Sequence, residues 1–253
     1  ENYDFVYEKW KNDIQLCSIS GGTDIISCFA LGNPILPVKK GELQCRGLGM
    51  KVESYDNNGC SVINLKGELV CTKAFPSMPI YLWNDEKNEK FMKTYFNVFQ
   101  GIWHHGDYIS ISEFGGIKIF GRSDTTLNPG GVRIGTSEIY QTVEKFKEIE
   151  DSLVIGQPWK NDERIILFIK MKSDHVLTTE LIDKIKLSIK KSCTSRHIPK
   201  KVIQINDIPY TINGKKVELA VKQVIQNIEI KNKDSIVNPE ILDDYKKIME
   251  LRT

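Results

Sequence analysis

The spacing of apolar and polar residues changes period part-way along this chain. From about residue 14 to 121 short runs alternate, as strands do. The segment 14–20 (IQLCSIS) alternates and then breaks at Gly21-Gly22. GELQC at 41–45 and GELVC at 67–71 each open a predicted strand with a glycine, and Asn57-Asn58-Gly59 marks a turn between them. YISISEFGGIKIFG at 108–121 predicts a hairpin, with Ile109, Ile111, Ile117 and Ile119 on one side and the bend at Gly115-Gly116.

After residue 135 the period lengthens to about 3.6. Ile139, Val143, Phe146 and Ile149 mark one face of a helix, with Thr136 or Ser137 as its N-cap. Strands are expected around 152–156 and 164–171, then a helix over 179–193 carrying Leu181, Ile182, Ile185 and Ile189. A further strand falls at 201–205, a helix begins near Lys215, and Asn238-Pro239 opens a last one. A β-rich half thus precedes a small α+β half. The stretch GRSDTTLNPGGVRIGTSEIY (121–140) lies at their boundary, where a hinge is expected.

Composition narrows the picture. The chain has 253 residues, 40% hydrophobic and 27% charged, ordinary for a globular protein with a real core. Thirty-five basic residues nearly cancel 33 acidic ones, leaving +2, which argues against nucleic acid as the main partner. The longest apolar run, Ile165 to Ile169, suits a buried strand and is far too short to span a membrane. No signal-peptide pattern opens the chain. Its six cysteines show no C-x-x-C spacing, so reduced thiols in a cytosolic protein are the expectation.

Four stretches carry candidate chemistry. In SGGTD (20–24) the glycines admit a ligand to the backbone, Thr23 can hydrogen-bond a phosphate oxygen and Asp24 can hold Mg²⁺; the alternative is a tight turn with a helix cap. In HHGDY (104–108) Asp107 can accept hydrogen bonds from ribose hydroxyls, or serve ordinary turn chemistry. Adjacent histidines 104 and 105 point to opposite faces of a strand and read as structural. Arg122 and Arg133 can clamp phosphate or ribose oxygens around Gly130-Gly131, or simply flank a surface loop. In PYTINGKK (209–216) a glycine-preceded tip frees a lysine to reach an anion, or starts a helix with solvated lysines.

Taken in order, Gly-Thr-acid, Gly-Asp, Gly-Arg-x-Asp with Gly-x-Arg and Glu, and Pro-x-Thr-x-x-Gly-Lys resemble the adenylate-forming superfamily of acyl-CoA synthetases, luciferases and peptide-synthetase adenylation domains. That resemblance implies the β-rich end of a large AMP-binding domain over 1–123 and a small mobile α+β domain over 124–253. It sets Thr23 at the AMP phosphate, Asp24 at the magnesium–phosphate region, Asp107 on the ribose hydroxyls and Arg122 on ribose or phosphate. Asp124 would be the hinge, Gly131 would border the pantetheine passage, Arg133 would lie near phosphate or CoA, and Lys215 would serve acid activation. SGGTDI, NDE, GIWHHGDY, RHIP, IPYTINGKKVE and NPEILDDYKKI look most like the branch that activates acetoacetate. Relatives that take acetate carry tryptophan where this chain has Gly21, which implies a longer acyl pocket here. Two positions depart from the pattern: Thr125 replaces an acid after the hinge, and Glu218 replaces an arginine after the lysine.

The resemblance implies ATP, Mg²⁺ and CoA as substrates, with no tightly bound cofactor. The phosphate loop usual in this superfamily is expected ahead of Glu1, in an N-terminal part of the same polypeptide, so this portion is not expected to turn over alone. Another short-chain acyl-CoA synthetase, a carrier-loading adenylation enzyme and a non-catalytic nucleotide-binding module remain as alternatives.

Overall fold

A computed structural model of the chain describes residues 2–230 and 233–252. The backbone forms two compact units, Glu1–Ile119 and Phe120–Thr253.

The first unit begins with α1 (Asn2–Phe5), continued by a π-turn, and is built mainly from two antiparallel sheets. One joins β1 (Ser20–Gly22), β2 (Ser27–Leu31) and β3 (Cys45–Arg46); the other runs in the order β4 (Val52–Tyr55), β5 (Lys66–Cys71), β6 (Trp103–Ile111), β7 (Ile117–Arg122). Of the alternating segment 14–20 only Ser20 enters a strand, as the first residue of β1. Leu16 N–H donates to the Tyr7 hydroxyl, and the Gln15 amide donates to the Asn33 and Leu36 carbonyls, so residues 14–19 follow a loop. Of 41–45 only Cys45 enters a strand, while Leu43 makes an isolated bridge to Ile117. The 108–121 hairpin forms as expected, burying Ile109, Ile111 and Ile117 completely and bending through Gly115 at φ +87°.

A helix absent from the sequence expectation, α2 (Glu89–Tyr95), follows the NDE segment. The Asp85 carboxylate accepts hydrogen bonds from the Lys90 and Phe91 amides at 3.0 and 2.7 Å, meeting two of the amide donors that a helix start leaves open. Phe91 and Tyr95, four residues apart, then share its buried face. They pack with Phe29, Phe75 and Phe96 around Trp103.

The second unit is a three-stranded sheet clothed on both faces. β8 (Ile149–Trp159) and β9 (Asp162–Met171) form an antiparallel hairpin, and β10 (Lys201–Gln204) pairs parallel to β9 after the α4 (Thr179–Ser192) crossover. Leu153, Ile155, Ile166 and Phe168 pack with α5 (Glu218–Ile225) and α6 (Leu242–Lys246). Val154, Ile165, Leu167 and Ile169 pack with α3 (Thr136–Val143) and α4. The unbroken apolar run 165–169 thus reflects burial on both sides of one strand. Three boundaries differ from expectation. α3 ends at Val143, so Phe146 lies beyond it and Ile149 opens β8 instead of extending the helix face. Gly135, not Thr136 or Ser137, caps α3, because a Cβ there would lie 2.4 Å from the Phe120 carbonyl oxygen, and Glu138 reaches back to the Gly135 amide at 3.0 Å. α5 starts at Glu218, leaving Lys215 in the turn before it.

No helix among the described residues is long and apolar enough to cross a membrane.

Candidate functional site

In the first unit, strand irregularity gathers the candidate residues. On β5, Glu68 and Val70 are paired with Tyr108 and His104 of β6, so four steps of one strand face two of the other. His105, Gly106 and Asp107 thus stand opposite Leu69 alone and bulge from the ladder, and Gly106 adopts φ +80°, a conformation that suits glycine. Asp107 is buried, with Oδ2 3.8 Å from His105 Nε2. His104 faces the other way and lies 3.0 Å from the Glu68 carboxylate, as the opposite-face reading expected.

His105 also meets the β1–β2 connection, where a Cβ on Gly22 would come 2.8 Å from its Cε1. That connection is a 3₁₀ turn, Thr23–Ile25, anchored by fully buried Ile25 and leaving Thr23 and Asp24 exposed. The Asp24 carboxylate accepts a hydrogen bond from the Tyr95 hydroxyl, and the Tyr95 ring stacks on Trp103 with centroids 3.7 Å apart. Thr23, Asp24 and Asp107 therefore share one neighbourhood, floored by His105, Tyr95 and Trp103. No cluster of three metal-ligating side chains occurs among the described residues. A lone exposed carboxylate beside a hydroxyl still suits magnesium, which keeps most of its shell as water and phosphate. Gly21 has a steric reason of its own: a Cβ there would lie 2.0 Å from the Ser27 carbonyl oxygen across the hairpin.

The second unit holds Arg122, Asp124, Gly131, Arg133 and Lys215. Arg122 ends β7, and its Nε lies 3.7 Å from Asp124 Oδ1 in the 3₁₀ turn Ser123–Thr125. Thr125 and Thr126 hydroxyls both donate to the Arg122 carbonyl, so threonine after the hinge residue closes this turn without an acid. Gly130 and Gly131 are left-handed, at φ +59° and +75°, and a Leu127–Ile134 bridge closes the loop that carries them and half-buried Arg133.

Lys215 stands exposed at the end of a tight turn. The Gly214 amide donates to Thr211 O, Thr211 N–H to Lys215 O, and Lys215 N–H to the Thr211 hydroxyl. Next to it, Lys216 turns inward. Its Nζ lies 2.7 Å from Asp151 Oδ1, donates to Ser152 O at 2.6 Å and sits 4.3 Å from the centre of the Tyr140 ring. Tyr210 donates to the other Asp151 oxygen, and burial followed by that carboxylate pushes its phenol well above the usual range. The Tyr140 hydroxyl donates to Glu218 Oε1 at 2.9 Å. Burial raises the Glu218 carboxyl above its ordinary value, with Asp124 adding repulsion, while Tyr140 and Lys216 act against the shift. Arg122, Asp124, Lys216, Glu218, Gln223 and Ile230 border an open groove of about 470 Å³.

Sequence reasoning missed Tyr95, the inward-turned Lys216 and its partner Asp151. Tyr95 and Asp151 stand in no motif, and Lys216, although inside PYTINGKK, gives no sign in the sequence that it turns inward; only the pairing of distant segments decides this.

No protein-family profile matches the chain. Over all 253 residues it is 50% identical to an acetoacetyl-coenzyme A synthetase of Rhizobium meliloti (strain 1021), of which it covers 39%. Its fold superposes on the acetoacetyl-CoA synthetase from Streptomyces lividans with a TM-score of 0.91 at 38% identity, covering 99% of this chain and 39% of that one. The anthranilate CoA ligase AuaEII, solved in complex with anthranoyl-AMP, shares the fold alone, at a TM-score of 0.66 and 21% identity over 78% of this chain and 37% of that one. The chain spans about two fifths of the length of the curated relatives it matches. Sequence throughout its length and fold together make this chain similar to a C-terminal part of the acetoacetyl-CoA synthetases, with the fold of the adenylate-forming enzymes.

Proposed function

We propose that this chain supplies the C-terminal part of an enzyme that makes acetoacetyl-CoA from acetoacetate, MgATP and CoA. An acetoacetate oxygen attacks the α-phosphorus as the bond to the bridging oxygen breaks, giving acetoacetyl-AMP and pyrophosphate. The CoA thiolate then attacks the acyl carbon, the bond to the AMP oxygen breaks, and AMP leaves. Water competes for the acyl-AMP, so a site that closes around it is useful.

In the first half-reaction Lys215 stands between the attacking carboxylate and the phosphate and offsets developing charge. Thr23 binds the AMP phosphate, Asp24 takes one position on the magnesium that arrives with ATP, and Asp107 accepts from the ribose hydroxyls. Arg122 and Arg133 hold ribose, phosphate or CoA. Asp124 is the pivot between the half-reactions, after which the Gly131 loop borders the CoA passage. The acyl group extends towards the hairpin edge at Gly21. Six cysteines outside any disulfide accord with a reducing compartment, the cytosol.

One observation carries this reading: of two adjacent lysines, Lys216 is consumed by the fold and Lys215 is presented to solvent on a tightly bonded turn, within a chain matched end to end by synthetases. ATP–pyrophosphate exchange with the full-length protein across short carboxylic and oxo acids tests it. Exchange strongest with acetoacetate is expected. Exchange with no acid at all would overturn the reading, and a preference for another acid would reassign the substrate.

A further inference from the structure

We propose that Asp162 and Glu163, the first two residues of β9, are positioning residues for the thioester-forming step and act through the 128–131 loop. This rests on the reading above, in which Gly131 borders the path of CoA.

Two successive left-handed glycines give that loop a freedom it must lose before it can define a passage. Two adjacent carboxylates remove it. Asp162 accepts the Gly130 amide with both oxygens, at 2.9 and 3.2 Å, and Glu163 Oε1 accepts the Asn128 amide at 2.6 Å. Arg196 donates to the Gly130 carbonyl at 3.4 Å from the other side. Glu163 is itself fixed: its second oxygen lies 3.0 Å from Lys222 Nζ on α5, and it fills the space over Gly156, where a Cβ would sit 1.9 Å from its carboxylate. The Glu163 and Gly130 amides hold the Asp162 carboxyl below its ordinary range, so it is an acceptor at neutral pH. The loop is thereby tied to the sheet and to α5 at once.

The same hairpin supports the Lys215 turn at its opposite end, through Asp151 and Lys216. The two supports are separate, so damage to the Asp162 end is expected in the CoA step alone.

The experiment uses the full-length protein with Asp162→Ala, Glu163→Ala and the conservative Asp162→Asn. Losing a charge-assisted bond to the Gly130 or Asn128 amide is expected to raise KM for CoA, or slow CoA-dependent consumption of acyl-AMP, by roughly tenfold. Acetoacetate-dependent ATP–pyrophosphate exchange should stay within about twofold of the parent. Asp162→Asn keeps an oxygen acceptor and should recover most of the loss, which a generally loosened fold would not allow; melting temperatures provide the check on folding. Equal losses in both half-reactions, or an unchanged CoA step, would overturn the proposal. Absence of exchange in the parent itself would sink the ligase reading, and this role with it, independently of Asp162.

Discussion

Lys216 is bound to Asp151 at 2.7 Å inside the second unit, whereas the neighbouring Lys215 is left exposed. Sequence alone offers two consecutive lysines at one loop tip. The fold uses the second to fasten the turn and leaves the first exposed.

Lys215→Ala and Lys216→Ala should therefore fail differently. Removing Lys215 in the full-length enzyme is expected to slow acyl-AMP formation by ~10²–10³, the cost of one preorganised donor to developing charge. Thioester formation from supplied acyl-AMP should survive, and the melting temperature should not move. Removing Lys216 takes the cation from Asp151 and a donor from the Ser152 carbonyl, at about 1–3 kcal/mol, and should show first as a lower melting temperature. The reverse pattern would exchange their roles.

Asp124→Pro tests the pivot. Proline fixes φ near a value that a 3₁₀ turn tolerates, so the turn can form while its torsion is locked. One half-reaction should survive and the other fail. Asp124→Ala is the control, since it removes the same carboxylate and ends the Arg122 pair but leaves the torsion free. Matching, mild losses in both variants would place the rotation elsewhere.

At Gly21 the structure changes what a substitution can report. Even a methyl group there meets the Ser27 carbonyl, so Gly21→Ala is expected to cost about 1–3 kcal/mol by overpacking. Gly21→Trp should lower activity on acetoacetate and acetate together as the β1–β2 hairpin is forced apart. A thermally stable Gly21→Trp protein with its preference shifted towards acetate would instead show that the hairpin yields and that the residue lines the acyl pocket.

Glu218 gives a pH signature. Its folded carboxyl titrates above its ordinary value of 4.5, chiefly because it is buried. Below that value both folded and unfolded states are protonated and the fold bears no penalty. As pH rises the unfolded state ionises first, and the fold loses stability until the folded carboxyl ionises too. Glu218→Gln keeps an oxygen for the Tyr140 hydroxyl and removes the titration. Its melting temperature relative to the parent should therefore climb as pH passes upward through the carboxylate range. A difference independent of pH would show that Glu218 is not held in this way.

The sequence by itself determined the division into a β-rich half and an α+β half, because hydrophobic period reports directly which face of each element is covered. It also placed the 108–121 hairpin, the doubly buried run at 165–169 and α4, whose signals are complete within each segment. The glycine-flanked polar stretches marked the candidate residues for the same local reason. Only the tertiary structure decided which of those residues are available. The alternating segment 14–20 found a ladder partner only at Ser20, and the rest became a loop bonded through Gln15 and Leu16. The NDE segment capped a helix whose Tyr95 binds Asp24. Asp151, Asp162 and Glu163 look like ordinary strand-end acids until β8 and β9 pair, and then they hold two loops that lie far away in sequence. A hydrogen bond between distant segments has no periodicity to announce it, and the partner that consumes one lysine and spares its neighbour exists only once the chain has folded.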